Sequence, residues 1–223
     1  MNPATLDFIY QADREGVHGL APHYLTLYSI ALGMEAKNVC EFGTGLSTRV
    51  LLDALKETGG HLLTCSTDNY ETVCGKANIH LTEHVDRWTH WSGLSYAFVR
   101  ALSDASRFDL VLHDGSHSEK TVFDDLVHII PRVRRGGLVL VHDTLHSYSG
   151  LGMLRAVNQA LAVFRLAVFR SDSQTNVAES VTLPFGFGLT MLQIKENWSV
   201  SEDVKVTRGK RGSLHFTNLE YLR

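Results

Sequence analysis

The chain has 223 residues, 44% of them hydrophobic and 20% charged, with a formal net charge of −3. That length and apolar share support one α/β domain with a sizeable core. The charge gives no global pull toward nucleic acid or an anionic surface, and no apolar run approaches the roughly 18–20 residues that span a bilayer.

The first residues, Met1-Asn2-Pro3-Ala4 and then Asp7, carry neither the basic start nor the apolar stretch of a secretory signal. Three cysteines make an odd count, and Cys40 and Cys65 fall within predicted buried strands. They read as core residues in a reducing compartment, so the expected setting is the cytoplasm.

Residues 1–36 read as a helical cap. Leu6, Ile9 and Tyr10 share a face at i, i+3, i+4 spacing, and a second amphipathic stretch runs over 22–34, with Gly16 and Gly19 between the two. From residue 38, strands are predicted at 38–42, 61–66, 88–92, 109–113 and 138–142, and helices at 47–57, 69–78, 95–101 and 118–130. Such alternation predicts parallel strands joined by right-handed crossovers. Ser116 and Glu119 form a capping-box pair ahead of the apolar positions Val122, Phe123, Leu126, Val127 and Ile130, and Pro131 closes that helix. A further helix follows from 151 to about 164, then strands at 166–170 and 188–194 with a polar loop between them. With no intervening helix, these two should pair antiparallel. The expected fold is α/β: a Rossmann-like, doubly wound sheet of seven strands, mostly parallel, with a reversed strand in a C-terminal hairpin.

The main domain is placed at 37–197, and 198–223 is a C-terminal extension. There Val204-Lys205-Val206-Thr207 alternates, Arg208-Gly209-Lys210-Arg211-Gly212 turns, and 213–217 returns. The segment reads as a hairpin or dimer arm, so a homo-oligomer is expected. The basic turn has no matching basic face elsewhere, which argues against a nucleic-acid partner.

Glu41-Phe42-Gly43-Thr44-Gly45-Leu46-Ser47 joins the first predicted strand to its helix. Strand, glycine turn and helix N-terminus make the cradle in which doubly wound proteins hold nucleotide-like ligands. Glycine at 43 and 45 lets the backbone approach such a ligand. A dinucleotide fingerprint needs glycine where Thr48 stands, and no P-loop run is present. Glu41 would repel pyrophosphate but suits a ligand with an amino group and a sulfonium, which points to S-adenosylmethionine. The competing reading is a turn that only reverses the chain.

Over about residues 38–195 the sequence resembles the class I S-adenosylmethionine-dependent methyltransferases. Glu41-Phe42-Gly43-Thr44-Gly45 matches that family's acidic-x-Gly-x-Gly motif. Phe108-Asp109-Leu110-Val111-Leu112-His113-Asp114-Gly115 is similar to its fourth-strand motif, and Arg135-Gly136-Gly137 through His142-Asp143 to its fifth. More narrowly, Asp114-Gly115-Ser116-His117, Asp124-Asp125-Leu126 and His142-Asp143 resemble a bacterial subgroup. It contains small-molecule and sugar O-methyltransferases and cephalosporin-hydroxylase-like proteins. The resemblance implies a cofactor site of Glu41, Gly43, Thr44, Gly45, Ser47, Asp68, Ser92, Gly93 and Asp114. Two positions depart from the pattern. Where the family places an acidic residue for the ribose, this chain has Ser66, with Asp68 two residues on. After the third strand Ser92-Gly93-Leu94-Ser95 offers no carboxylate, leaving adenine to backbone and apolar contacts.

Methyl transfer from a sulfonium is an in-line displacement that needs donor and acceptor held collinear and the acceptor oxygen deprotonated. Asp114 and Asp143 are predicted just beyond the carboxyl ends of neighbouring strands, where ligands bind in such sheets. Together they suit Mg²⁺; alternatively Asp114-Gly115 only turns the chain and Asp143 only caps a loop. The resemblance puts a third metal ligand directly after the second aspartate, and here that residue is Thr144. His142 or His146 are the substitutes, although imidazole suits zinc or iron better than magnesium. His117, three residues past Asp114, is the candidate general base. His146 and Tyr148 are candidate substrate contacts, and Phe185 and Phe187 either cover the acceptor or pack beside the last strand. The expected activity is O-methylation of a small molecule or sugar. The alternatives are a cofactor-binding or hydroxylase-like protein without methyl transfer, and a nucleic-acid methyltransferase using the basic tail.

Overall fold

The computed structural model describes residues 2–16, 19–168, 178–195, 205–208 and 214–217, with backbone alone at 162–168, 205–208 and 214–217. Helices α1 (Pro3–Glu15) and α2 (Tyr24–Gly33), the latter entered through a 3-10 turn at Ala21–His23, precede the sheet. Strand and helix then alternate: β1 (Asn38–Phe42), α3 (Leu46–Thr58), β2 (His61–Ser66), α4 (Tyr70–Ala77), β3 (Trp88–Ser92), α5 (Ser95–Ala101), β4 (Phe108–His113), α6 (Glu119–Ile129) and β5 (Val133–His142). The long helix α7 (Gly150–Val168) leads to β6 (Ala178–Leu183) and β7 (Leu189–Ile194). The sheet order is β3-β2-β1-β4-β5-β7-β6, with β7 antiparallel to both its neighbours and the first five strands parallel. It is a Rossmann-like seven-stranded sheet with one reversed strand.

The central strands read as apolar runs because helices cover both faces of the sheet. Alternate residues go to opposite sides, as a period of two requires. Cys40, Val111, Val139 and Val141 join Val122 and Leu126 of α6 and Met153 and Ala156 of α7 in one cluster. Val39, Leu110, Leu112 and Leu140 join Ile9, Leu27, Tyr28, Leu51 and Leu55 in the other. The first two helices therefore form part of one wall of the main core.

The structure corrects several local expectations. Tyr10 is half-exposed, and Ile9 and Ala12 carry the buried face of α1. The α6 N-cap is Ser118, not Ser116; Ser116 Oγ instead accepts from Ser118 N–H at 3.2 Å. Glu119 has no capping role and accepts from Gln159 Nε2 at 3.1 Å on α7. The predicted strand at 166–170 is overturned as far as residue 168, because α7 continues through it; 169 and 170 lie outside the described residues. Its place is taken by β6, which lies in the predicted polar loop. An edge strand pairs on one side only and tolerates polar residues such as Glu179, Ser180 and Thr182. β5 starts five residues before the predicted 138, across an irregular stretch between Phe108↔Val133 and Leu110↔Leu138. In the tail, β8 (Lys205–Arg208) and β9 (Leu214–Thr217) pair antiparallel in a separate two-stranded sheet; the predicted turn at 209–212 lies outside the described residues.

From β1 the chain moves to β2 on one side and later returns to β4 on the other. Crossovers diverging in this way open a crevice beyond the carboxyl ends of β1 and β4.

Candidate functional site

Gly43 shapes the floor of that crevice. It has φ +88, and a Cβ there would collide with the carbonyl oxygen of Asp114. Its N–H donates to Cys65 O at 2.9 Å, while Asp114 N–H donates to Phe42 O at 2.8 Å, so the turns after β1 and β4 lock together. Gly45 is the opposite case: a Cβ would meet nothing within 4 Å. Its open side lies in a cleft of about 680 Å³ that is also lined by Thr44, Ser47, Asp114, His117 and Asp143. Thr44 Oγ1, on the same wall, is buried without a hydrogen-bond partner.

Glu41 has a different place from the one expected. The side chain is fully buried and does not line the cleft. Its carboxyl oxygens accept from Ser47 Oγ at 2.6 Å and Thr48 Oγ1 at 2.7 Å in the first turn of α3. Burial pushes its pKa up to about 8, against the lowering effect of those two hydroxyls. Glu41 thus acts through the turn, tying β1 to α3. Thr48, noted in the sequence only as a missing glycine, is its second anchor.

Asp114 and Asp143 do lie just beyond the ends of the paired strands β4 and β5. His142, the last residue of β5, joins them: its Nδ1 donates to Asp114 Oδ1 at 3.0 Å and lies 3.4 Å from Asp143 Oδ2. Burial would lower the His142 pKa, but its bonds to the two carboxylates raise it to about 9. Burial would raise Asp143, but the bonds from His142 and His117 hold it below the usual carboxylate range. Asp143 also takes a left-handed backbone at φ +57, a conformation that aspartate tolerates better than most side chains. His117 is half-exposed in the cleft, its Nε2 bonded to Asp143 Oδ2. One ligand atom each from Asp114, His117 and Asp143 lies within 4.8 Å of the others.

Thr144 is not the third member of that group. It is fully buried and accepts from Thr190 Oγ1 at 2.9 Å, in a chain continued by Thr182 across β7 and β6. His117 fills the place instead. The cleft is also lined by Gly19, Leu20 and Tyr24 from the N-terminal region, with His146, Ser149 and Phe187. Phe187 packs edge-on against His146 at 4.6 Å, and Phe185 stacks on buried His23 at 4.6 Å. His23 stands behind His142, ring centroids 5.7 Å apart, and its pKa is lowered to about 4, first by burial and then by the charge of His142. No motif marked His23, which enters the site only through the packing of the cap.

The remaining predicted residues sit outside the lining. Ser92 and Gly93 lie at the end of β3, where Gly93 N–H donates to Ser66 O at 2.7 Å. The Asp68 carboxylate is paired with Lys76 Nζ at 2.6 Å, and it is Lys76 that reaches the cleft. Of the expected cofactor residues, Thr44, Gly45, Ser47 and Asp114 are brought together; Glu41 and Gly43 support them from below.

A family model described as a methyltransferase domain matches residues 40–144. No curated protein sequence matches the chain. Among solved structures, an O-methyltransferase from Bacillus cereus in complex with SAH shares 16% identity at a TM-score of 0.61, over 87% of this chain and 92% of that one. TomG from Streptomyces achromogenes, an O-methyltransferase of tomaymycin synthesis solved with SAM, shares 20% at a TM-score of 0.61, over 87% and 91%. The SAH-bound methyltransferase PaMTH1 of Podospora anserina shares 14% at a TM-score of 0.55, over 88% and 97%. Residues 40–144 thus match the methyltransferase-domain model, and the chain as a whole shares the fold of these solved methyltransferases.

Proposed function

We propose that the chain is an S-adenosylmethionine-dependent methyltransferase acting on an oxygen of a small acceptor. The observation that carries this reading is the His117–Asp143 pair, set in the same cleft as the open side of Gly45. Gly45, the unpartnered Thr44 hydroxyl and the cleft volume fit the cofactor, and the relatives solved with SAM or SAH support the assignment. When bound, that group supplies an electrophilic methyl on a sulfonium.

The chain's own residues do the rest. Asp143 accepts the Nε2 proton of His117 and so leaves Nδ1 as the basic nitrogen. His117 Nδ1 takes the proton of the acceptor hydroxyl as the oxygen attacks. Asp114, fixed by His142, keeps a second carboxylate beside the reacting oxygen. Phe187 and the N-terminal residues Gly19, Leu20 and Tyr24 complete the lining of the cleft.

A second arrangement is favoured by the closeness of the three ligand atoms. Asp114, Asp143 and His117 would hold a divalent cation, which supplies Lewis-acid lowering of the acceptor's pKa. An imidazole in the set favours a transition ion over Mg²⁺. His117 would then be a ligand and not the base.

Three buried free thiols, Cys40, Cys65 and Cys74, agree with a reducing, cytoplasmic setting. No helix among the described residues is long and apolar enough to cross a membrane.

The test is calorimetric titration with S-adenosylhomocysteine in EDTA, then with Mg²⁺ and with Mn²⁺. Binding in the micromolar range in EDTA supports the cofactor. Binding that needs the ion and disappears in Asp114→Ala with Asp143→Ala supports the second arrangement. No binding in any buffer removes the methyltransferase reading.

A further inference from the structure

We propose that Lys76 contacts the nucleoside end of the ligand through the ribose hydroxyl oxygens, and that a buried relay from Trp88 sets its position. This rests on the cofactor assignment above. Lys76 lines the cleft beside Gly45 and Ser47, while His117 and Asp143 stand at the β4–β5 end. β2 and β4 flank β1 on opposite sides. A ligand whose reactive methyl meets His117 therefore extends its other end toward α4 and Lys76.

The relay runs in one chemical direction. Trp88 Nε1–H can only donate, and it gives its proton to Thr64 Oγ1 at 3.0 Å. At the other end, the carbonyl oxygen of Asp68 can only accept, and it lies 2.8 Å from His90 Nε2. That bond puts the imidazole proton on Nε2 and leaves Nδ1 to accept from Thr64 Oγ1 at 2.8 Å. Thr64 is fully buried and Trp88 nearly so. The Asp68 N–H is bonded as well, to Ser66 Oγ at 3.2 Å.

Asp68 is thereby held at both ends of its backbone, and its carboxylate meets Lys76 Nζ at 2.6 Å. Exposed ion pairs add little to stability, so stability gives this one little reason for such support. One of the three ammonium protons is spent on Asp68, and the other two remain for acceptor oxygens in the cleft. A donor here answers the absence of a carboxylate at Ser66: the hydroxyl oxygens are met as acceptors.

The test is titration of the full chain with S-adenosylhomocysteine and with its 2′-deoxy counterpart. Lys76→Met keeps the stem and removes the charge; because the side chain is half-exposed, the variant is expected to fold. It should bind S-adenosylhomocysteine about tenfold more weakly, as expected for a lost bond to a charged donor, and should discriminate less against the deoxy form. Lys76→Arg should recover part of both. His90→Ala should weaken binding, and adding it to Lys76→Met should cost nothing further, since both act through one contact. An unchanged Lys76→Met, or additive losses in the double variant, overturns the proposal. If His90→Ala does not fold, the Lys76→Met and Lys76→Arg arms decide alone. Failure of the wild-type chain to bind is a separate result, removing the cofactor reading and this proposal together.

Discussion

His142 Nδ1 donates to Asp114 Oδ1 at 3.0 Å, joining the last residue of β5 to the first residue past β4. The bond holds the two strand ends in register where the sheet stops and the cleft begins. It also places a cationic imidazole beside carboxylates that would otherwise repel one another.

Stability should fall on the alkaline side because of that imidazole. The folded pKa, about 9, lies above the ordinary 6.5, so the contribution is complete below pH 6.5 and is lost as pH rises through 9. A displacement of that size corresponds to about 3 kcal/mol. Thermal unfolding in EDTA should show the midpoint dropping over that window in wild type and a flatter profile in His142→Gln.

Glu41 contributes a second slope of the same sign. Its pKa is about 8 in the fold against an ordinary 4.5, so ionisation costs stability as pH rises from 4.5 through 8. Glu41→Gln should remove this slope and keep an oxygen for Ser47 or Thr48. Glu41→Ala strands both hydroxyls and opens a cavity, at an expected cost of about 2–4 kcal/mol in chemical denaturation.

The two glycines of the turn should separate folding from binding. Gly43→Ala places a Cβ against the Asp114 carbonyl at a positive φ, and should destabilise the chain by about 3 kcal/mol or more. Gly45→Ala, whose Cβ faces open space, should keep stability within about 1 kcal/mol of wild type. Its affinity for S-adenosylhomocysteine should nonetheless fall about tenfold, because the methyl group stands where the ligand approaches. Equal effects of the two substitutions on both readouts would contradict this division.

His117 should matter to chemistry and not to cofactor binding. His117→Ala should reduce methyl transfer by about 10²–10⁴, the usual contribution of a general base. S-adenosylhomocysteine affinity measured on the same preparation should stay unchanged. Asp143→Asn should also slow transfer, since an amide cannot accept the Nε2 proton through its nitrogen. A parallel loss of affinity in His117→Ala would mean that the residue holds the ligand.

Much of the fold was legible because local chemistry and burial agree. β1, β2 and β3 match their predicted limits: each is a short run carrying apolar or aromatic residues and closed within three residues by a turn or cap residue, Gly43, Asn69 or Gly93. Gly43 could be picked out because only glycine fits a positive φ packed against backbone. The neighbouring placement of Asp114 and Asp143 followed from parallel strands that share one carboxyl edge.

Other features were settled by contacts between residues far apart in sequence. Residues 166–168, Leu-Ala-Val, suit helix or strand alone, and continuation of α7 decides for helix. β6 is polar because its only sheet partner among the described residues is β7. The sequence of Glu41 does not tell whether its carboxylate faces a ligand or the helix start; the fold turns it to Ser47 and Thr48. His142 meets Asp114 across 28 positions, and Lys76 reaches the cleft through Asp68. Sequence by itself determined the elements and the edge of the sheet where chemistry gathers, since backbone preference and apolar periodicity are local. Tertiary structure alone decided which polar atoms meet there, because a buried charge or donor is settled by whichever partner the packing brings within hydrogen-bond reach.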